Sequence, residues 1–501
     1  LGTSGTDYLK TSDISKASDQ TFYLDARVNY DRQFNLHHVT GMLMYMQREY
    51  RSSVLPERNQ GFSGRFTYDY GQRYLVELNF GYNGTERLAK KERFEFFPAV
   101  SLGWVISNEK FFEPMTKYID NLKIRGSYGL VGSDETGLSA GAQHFLYIDQ
   151  VSLNNIGFTT GVDMNYTLYG PLVTNYAVVN GGWERVKKLD IGIDLELFRQ
   201  LTITADYFNE KRYNILLHRE AWPESLGYYT AKPWSNKGKV DNWGIELSVN
   251  WRKEFTKDLY VDFRGNFTYT ENKYVNLDEP VYPYVWKTST GKPLSRTTGY
   301  IAQGLFSSQE EIDNSPTQNL GSTVKPGDIK YRDVNGDGKI DGSDQVMISP
   351  YGTTPRIQYG LGMNVTYKKF DFGVFFNGSA KRTIMISGIS PFGQSDYNVM
   401  QFIADDYWSE SNPNPNAKYP RLGLTSSQTA NNTVASTYWM RNGNFIRFKT
   451  LELGYKFKYG RVYLNGDNIA VFSPFKLWDP ELSWNAYPLQ RTFNIGVQLN
   501  F

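Results

Sequence analysis

The fold of this chain is constrained most by short segments in which every second residue is apolar or aromatic. In Tyr74–Tyr82, for example, such residues occupy positions 74, 76, 78, 80 and 82. Side chains two residues apart share one face of a β-strand, so this pattern turns one face to an apolar medium and the other to water. The clearest further segments are Phe22–Tyr30, Leu189–Leu197, Leu201–Tyr207, Trp243–Trp251, Leu259–Tyr269, Ile357–Tyr367, Phe370–Phe376 and Leu451–Phe457.

Weaker alternation elsewhere brings the predicted number of strands to about sixteen. The connections between strands differ greatly in length. Gln200 alone nearly suffices as a turn, whereas three connections are long, and membrane barrels show this asymmetry between their two ends. The weaker segments are Val39–Tyr50, Phe62–Tyr70, Phe94–Ile106, Leu122–Leu130 and Val462–Asn468, and the long connections are Gly132–Arg185, Tyr274–Pro355 and Arg382–Tyr438.

The hydropathy of the chain excludes a helical membrane protein. The mean hydropathy is −0.51, and no stretch approaches the roughly 20 apolar residues of a spanning helix. Only helices and closed barrels satisfy every backbone group in lipid. The absence of Cys and the 16% of aromatic residues suit an exported barrel with aromatic girdles. We therefore predict an all-β fold, a transmembrane antiparallel β-barrel. The net charge of +2 and the lack of a basic patch argue against nucleic acid as a partner.

The last eleven residues, Arg491–Phe501, alternate in the same way and end on Phe501. This end resembles the C-terminal signal by which bacterial outer-membrane barrels are recognised for insertion, with Phe501 as the assembly signal. The resemblance implies that the protein is a multi-pass barrel of the outer membrane of a Gram-negative cell, in contact with its lipid and lipopolysaccharide.

The longest local motif lies in the connection Tyr274–Pro355. Oxygen ligands fall at positions 1, 3 and 5 of a twelve-residue loop, glycine at 6, a backbone carbonyl at 7 and acids at 9 and 12, the pattern of a Ca²⁺ loop. An Asp at position 12 reaches less far than Glu, so weak structural binding is expected, with Kd on the order of 10⁻⁴–10⁻³ M. The alternative is a polar surface loop that holds no metal. The predicted ligands are Asp333, Asn335, Asp337, the carbonyl of Lys339, Asp341 and Asp344.

Several long segments together resemble the SusC-like (RagA-like) TonB-dependent transporters of Bacteroidetes. They occur in the order found in that family and extend over most of the chain from about Gln20 to Phe501. The segments are Arg93–Glu113, Ile119–Asp134, Lys239–Trp251, Pro326–Asp344, Tyr407–Gly423, Tyr438–Tyr455, Gly466–Glu481 and Tyr487–Phe493.

The resemblance implies a plugged barrel of about 22 strands that imports oligosaccharides, or in some members peptides. A SusD-like surface lipoprotein would cover the extracellular mouth, and TonB with ExbB and ExbD would supply energy through the plug. A dimer of SusC–SusD pairs is the assembly that it implies.

The N-terminal part of that pattern is missing here. No TonB-binding segment, plug or carboxypeptidase-like extension is found before the first strand, and about six strands would also be absent. An open sheet of about sixteen strands would expose two edges to lipid. We therefore expect residues 1–501 to be the C-terminal part of the barrel, with the plug and first strands in the same or another polypeptide.

The chain lacks the motifs of an enzyme. None of its four His residues has the spacing of a metal motif, and no nucleophile elbow or phosphate-binding loop is present. Neither enzymatic activity nor an organic cofactor is expected. Cargo contacts are expected from loop aromatics, and the alternative for each is that it packs within its loop or lies in an aromatic girdle. The candidates are Tyr282, Tyr284, Trp286, Trp234 and Tyr397. A passive porin or structural surface barrel is the alternative function.

Overall fold

A computed structural model describes residues 18–52, 56–136, 146–178, 181–223, 225, 232–386, 399–423, 425–483 and 486–500. Nearly all regular structure in them is strand, and the helices are short.

The strands are β1 (Gln20–Phe34), β2 (His37–Arg51), β3 (Glu57–Tyr70), β4 (Tyr74–Thr85), β5 (Phe94–Val105), β6 (Ile119–Ser133), β7 (Gln150–Thr160), β8 (Tyr166–Asn175), β9 (Glu184–Leu197), β10 (Leu201–His218), β11 (Trp234–Thr256), β12 (Leu259–Asn276), β13 (Thr297–Gly299), β14 (Ala302–Leu305), β15 (Thr317–Gln318), β16 (Ile329–Tyr331), β17 (Lys339–Ile340), β18 (Val346–Ser349), β19 (Ile357–Tyr367), β20 (Phe370–Ala380), β21 (Thr383–Met385), β22 (Met440–Asn442), β23 (Phe445–Phe457), β24 (Gly460–Phe472) and β25 (Thr492–Leu499). The α-helices are α1 (Gln309–Asp313), α2 (Gln401–Ala404) and α3 (Ser426–Thr433), and 3₁₀ turns occur at Ile106–Asn108, Lys110–Met115, Val285–Lys287 and Gly342–Asp344.

One sheet of fifteen strands contains all the long strands except the β7–β8 hairpin. Its order is β1-β2-β3-β4-β5-β6-β9-β10-β11-β12-β19-β20-β23-β24-β25, so each strand pairs with the strand of this sheet that follows it in the chain. The fifteen segments named from the sequence all fall on these strands. The sheet therefore has one strand fewer than the predicted total of about sixteen. The predicted all-β class is therefore confirmed.

Short turns join alternate pairs of these strands, as expected, except that two 3₁₀ turns lie between β5 and β6. The turn between β9 and β10 is unusual because Phe198 and Arg199 both have positive φ, 55° and 54°, which bulky residues seldom adopt. Two neighbours hold it in place. Phe198 donates its N–H to the carbonyl of Tyr118 at 3.0 Å, and the N–H of Arg199 donates to the Asp120 carboxylate. The three predicted long connections join the other ends of the strands and contain the helices and small sheets.

The long strands have one apolar and one polar face. On β5, Phe96 is 51% exposed and Leu102 is 58% exposed, whereas Glu95 on the opposite face pairs with Arg185 at 2.7 Å. On β25, Phe493, Ile495, Val497 and Leu499 are all exposed. Exposed apolar side chains at every second position form a surface suited to lipid, which is the arrangement that the alternation predicts.

The described chain comprises two compact units. The first contains the described residues of Leu1–Trp104, Gly126–Leu189 and Arg212–Gly238, and the second those of Val105–Arg125, Asp190–Lys211 and Lys239–Phe501.

A conventional hydrophobic core lies in the long connections of the second unit. Trp439, Ile329, Ile340 and Ile403 are completely buried in one cluster there. Burial of one such side chain contributes about 1.5–3 kcal/mol, so this cluster gives the long connections a stable fold of their own. We call the folded segments between β12 and β19 and between β20 and β23 the cap. None of the helices in the described ranges has the length and apolarity needed to cross a membrane.

Candidate functional site

The Asp-rich loop predicted from the sequence is a tightly turned segment between β16 and β18. The two carboxylate oxygens of Asp333 accept the N–H groups of Gly336 and Gly338 at 2.6 and 2.9 Å. Both glycines have positive φ, 76° and 81°, a conformation that glycine adopts at no steric cost. The glycines therefore let the backbone wind around the first carboxylate.

The other end of the loop is closed by Asp341 and Asp344. Asp344 is completely buried and accepts the N–H groups of Val334 and Asp341 at 2.8 and 2.9 Å. Asp341 in turn accepts the N–H of Ser343 at 2.8 Å, and this bond lowers the pKa of Asp341. The loop thus holds its carboxylates in place by backbone N–H donors.

The order and type of these oxygen groups suit a hard cation. In their present positions, however, the carboxylate oxygens accept hydrogen bonds from backbone N–H groups of the loop. Across the described ranges, no three Asp, Glu or His side chains converge to hold a metal ion. A bound cation would have to share oxygens that now accept N–H groups. Metal binding by this loop therefore stays a prediction.

Two of the predicted cargo aromatics lie against this loop. The rings of Tyr284 and Trp286 stack with centroids 4.8 Å apart and an interplanar angle of 12°. The Tyr284 hydroxyl oxygen accepts from the Asn335 side-chain amide at 3.0 Å, and Trp286 Nε1 donates to the Ser343 carbonyl at 2.8 Å. The aromatic pair and the Asp-rich loop, predicted as separate features, form one structural feature.

The remaining predicted residues are dispersed. Tyr282 lies in the same connection and is 37% exposed. Trp234 begins β11 and belongs to the first unit, where it packs on His218. Tyr397 and the assembly signal Phe501 lie outside the described residues.

An ion cluster on the polar face of the sheet was not predicted. Arg125 Nη2 lies 2.7 Å from Asp206, and its Nη1 and Nε lie 3.3 Å from Asp190 and Asp194 respectively. Gly192 leaves room for it, since a Cβ there would lie 2.1 Å from Asp206 Oδ1. The alternation places acids on this face, but only strand register shows which cation they meet.

A second unpredicted network holds the cap together. Asp328 is completely buried and receives the Arg421 guanidinium at 2.7 Å and the Asn432 amide at 2.7 Å. Burial raises the pKa of Asp328, although these partners oppose that effect. The backbone carbonyl of Asn432 also accepts a hydrogen bond from Trp439 Nε1 at 2.7 Å.

The similarity of this chain to known proteins extends over most of its length. It is 25% identical over 478 residues to the TonB-dependent receptor P3 of Formosa agariphila, covering 87% of this chain and 45% of that protein. It is 27% identical over 469 residues to the TonB-dependent receptor SusC of Bacteroides thetaiotaomicron, covering 88% and 43%. The chain spans about half the length of the curated relatives that it matches.

The fold also matches a solved structure described as the RagAB peptide transporter. The TM-score is 0.68 at 17% identity, covering 96% of this chain and 55% of the other. At that identity the match concerns the fold alone. The family model described as TonB dependent receptor-like, beta-barrel matches residues 2–469. The chain therefore belongs to the family of TonB-dependent receptor-like β-barrels of the bacterial outer membrane.

Proposed function

We propose that this chain is the C-terminal barrel portion of a transporter that imports oligosaccharides across the outer membrane with energy supplied through TonB. The observation that carries the proposal is the two-faced sheet, apolar and exposed on one face and ion-paired on the other, in a member of a receptor and transporter family rather than an enzyme family. A wall of this kind separates lipid from a polar path.

The oligosaccharide cargo is proposed from the chemistry of the connections. Pyranose rings pack their C–H faces on aromatic rings and bond amides and carboxylates through their hydroxyls. The Tyr284 hydroxyl and Trp286 Nε1 are hydrogen-bonded to Asn335 and Ser343 of the Asp-rich loop at 3.0 and 2.8 Å. Aromatic surface beside fixed polar groups is the usual composition of small-molecule sites.

The proposed partners follow from the similarity to SusC and from the fold shared with RagAB. They are a SusD-like lipoprotein over the cap, TonB with ExbB and ExbD, and a plug in the same or another polypeptide. A dimer of such pairs is the proposed assembly.

A calcium ion in the loop 333–344 belongs to the same proposal. The side-chain oxygens of Asp333, Asn335, Asp337, Asp341 and Asp344 and the Lys339 carbonyl would hold it. The ion would neutralise the crowded carboxylates and stiffen the cap, with no part in transport chemistry.

The test is growth and uptake by cells that carry or lack the full-length gene. Uptake of a labelled oligosaccharide that requires this gene and TonB supports the proposal. Uptake that persists without TonB would instead identify a passive porin.

Peptide import is the second candidate, because the fold matches a structure described as a peptide transporter. Loss of labelled-peptide uptake on deletion, with oligosaccharide uptake unchanged, would favour it.

A further inference from the structure

A cleft in the first compact unit has the composition of a ligand site. It lies at the start of β9 and β11, has a volume of about 480 Å³, and is lined by Glu92, Arg185, Asn214, Trp234, Ser235 and Asn236 among others. That volume is within the range of small-molecule sites, roughly 300–1,000 Å³. We refer to it as the Asn236 cleft.

The Asn236 cleft adjoins a second, much smaller cavity of about 30 Å³ in the same unit, which is lined in part by Arg87 and Tyr147. Val178, Gly182, Asn214 and Asn236 line both. The Asn236 cleft is therefore the larger of two neighbouring spaces that share one wall.

Asn236 lies in that shared wall with its amide held in one orientation. Its Nδ2 donates to the carbonyls of Gly182 and Asn214 at 3.1 and 2.8 Å. Its Oδ1 is buried and has no hydrogen-bond donor among the described residues. Because a buried acceptor without a donor is unfavourable, a guest that supplies an O–H or N–H at this oxygen would be bound favourably.

Two neighbouring side chains also have buried polar atoms without hydrogen-bond partners in the described ranges. The Ser235 hydroxyl oxygen and Arg185 Nε are also buried and without hydrogen-bond partners among the described residues. Arg185 is held by its other end, where Nη2 donates to Glu95 at 2.7 Å. The wall therefore presents acceptors and a donor side by side, with no charge left uncompensated on the arginine.

An aromatic ring supplies the apolar part of the cleft. The indole of Trp234 packs on the His218 imidazole, with ring centroids 3.5 Å apart. The His218 Nδ1 lies 3.1 Å from the Lys232 carbonyl oxygen, which fixes the imidazole behind the indole. Trp234 is thus supported on one side and borders the cleft.

We propose that the Asn236 cleft binds a hydroxyl-rich segment of the transported oligosaccharide, with Trp234 against a sugar ring and Asn236, Ser235 and Arg185 bonded to its hydroxyls. This inference rests on the proposed function. A hydroxyl both donates and accepts, so adjacent sugar hydroxyls satisfy a wall that mixes acceptors with a donor. A peptide backbone carries donors and acceptors at fixed spacing and pairs best with a strand edge, which this wall of side chains does not offer.

The test is direct binding to the purified full-length transporter in detergent, measured by calorimetry. The probes are short α-linked and β-linked glucans, a fructan, a mannan and a pool of tryptic peptides. Trp234→Ala and Ser235→Ala should each weaken saccharide binding by about tenfold, as expected for loss of one good contact. Trp234→Phe, which keeps an aromatic face, should retain most of the affinity.

Tyr459→Ala is the matched control, because it removes an exposed aromatic ring from the short turn between β23 and β24. It should bind like the unmodified protein. Each variant is accepted only if its barrel shows the same heat-dependent migration on gels. Ser235→Ala removes one oxygen that has no hydrogen-bond partner within the described ranges, and it keeps the test valid if Trp234→Ala fails to fold.

The outcomes separate this inference from the proposed function. Saccharide binding that is unchanged in both Trp234→Ala and Ser235→Ala would overturn the cleft and leave oligosaccharide import standing. Binding of peptides alone by the unmodified protein would overturn the oligosaccharide cargo and, with it, this inference.

Discussion

The Tyr284 hydroxyl oxygen accepts a hydrogen bond from the side-chain amide of Asn335 at 3.0 Å. This bond joins an aromatic pair, proposed to contact cargo, to the third position of the Asp-rich loop. The Asn335 amide also donates to Asp337 at 2.9 Å, so the order of the loop and the position of the Tyr284 ring depend on each other. Calcium in the loop would therefore act on the aromatic surface as well.

The double change Asp333→Ala and Asp337→Ala tests that dependence. It removes the acceptors for Gly336, Gly338 and Lys339 N–H groups and two predicted calcium ligands, so the loop should loosen while the sheet stays inserted. Limited proteolysis near positions 281–287 should slow with added calcium in the unmodified protein and stay fast in the variant. Glu410→Ala, at an exposed position, is the control and should keep the calcium protection of the unmodified protein. Equal calcium protection in the unmodified protein and in the double variant would refute the metal site.

Replacement of Gly192 by Ala should disturb the Arg125 ion cluster. The new Cβ would lie 2.1 Å from Asp206 Oδ1 and 2.7 Å from Arg125 Cζ, and such overpacking costs about 1–3 kcal/mol. The barrel should then lose its compact gel migration at a lower temperature. Gly170→Ala, which has no atoms within 4 Å of the added Cβ, should leave that temperature unchanged; an equal fall in both would show that the cluster is not the cause.

Trp439→Ala should unfold the cap without removing the protein from the membrane. The indole is completely buried in the cluster and donates to the Asn432 carbonyl at 2.7 Å. The expected cost is about 3–5 kcal/mol. Proteases added to intact cells should cleave within the connections of the variant, whereas Trp104→Phe on the exposed apolar face should resist. A loss of protein from the outer membrane would place Trp439 in barrel assembly instead.

Glu279 should make one turn of the cap sensitive to acid. Burial favours the neutral carboxyl, but bonds from the Thr290 hydroxyl and from the N–H groups of Ser289 and Thr290 lower its pKa overall. A lowered pKa stabilises the fold above the ordinary Glu value near 4.3, and that contribution disappears as the pH falls through the lowered value.

Hydrogen exchange of the Ser289 and Thr290 amides measures this effect. Exchange, corrected for its intrinsic pH dependence, should accelerate as the pH falls below about 4. In Glu279→Gln the protection should be weaker at neutral pH and change little with acid. A variant with the unmodified pH response would exclude Glu279 as the cause.

Much of the sheet could be predicted from the sequence because alternation is a local property. On β5, the alternation that includes Phe96 and Leu102 predicts an exposed apolar face, whichever strands lie beside β5. The spacing of the Asp-rich loop was equally readable, because its turns are made by neighbours such as Asp333 and Gly336. The family resemblance was carried by long segments in order.

Contacts between distant segments could not be read in this way. Arg125 meets Asp206, 81 residues away, and Asn335 meets Tyr284, 51 residues away. No periodicity encodes such pairs, because each depends on strand register or on the path of a long connection.

The sequence by itself determined a two-faced sheet with short turns at one end, an Asp-rich loop and membership of a transporter family. Only the tertiary structure decided that the loop and the Tyr284–Trp286 pair form one feature and that a Trp439-centred core folds the cap. It also decided that Asn236 Oδ1, beside a cleft, has no hydrogen-bond donor in the part of the chain that the structure describes. The physical reason is range: side-chain alternation and turn chemistry act over a few residues, whereas packing and hydrogen-bond satisfaction depend on groups that the whole fold brings together.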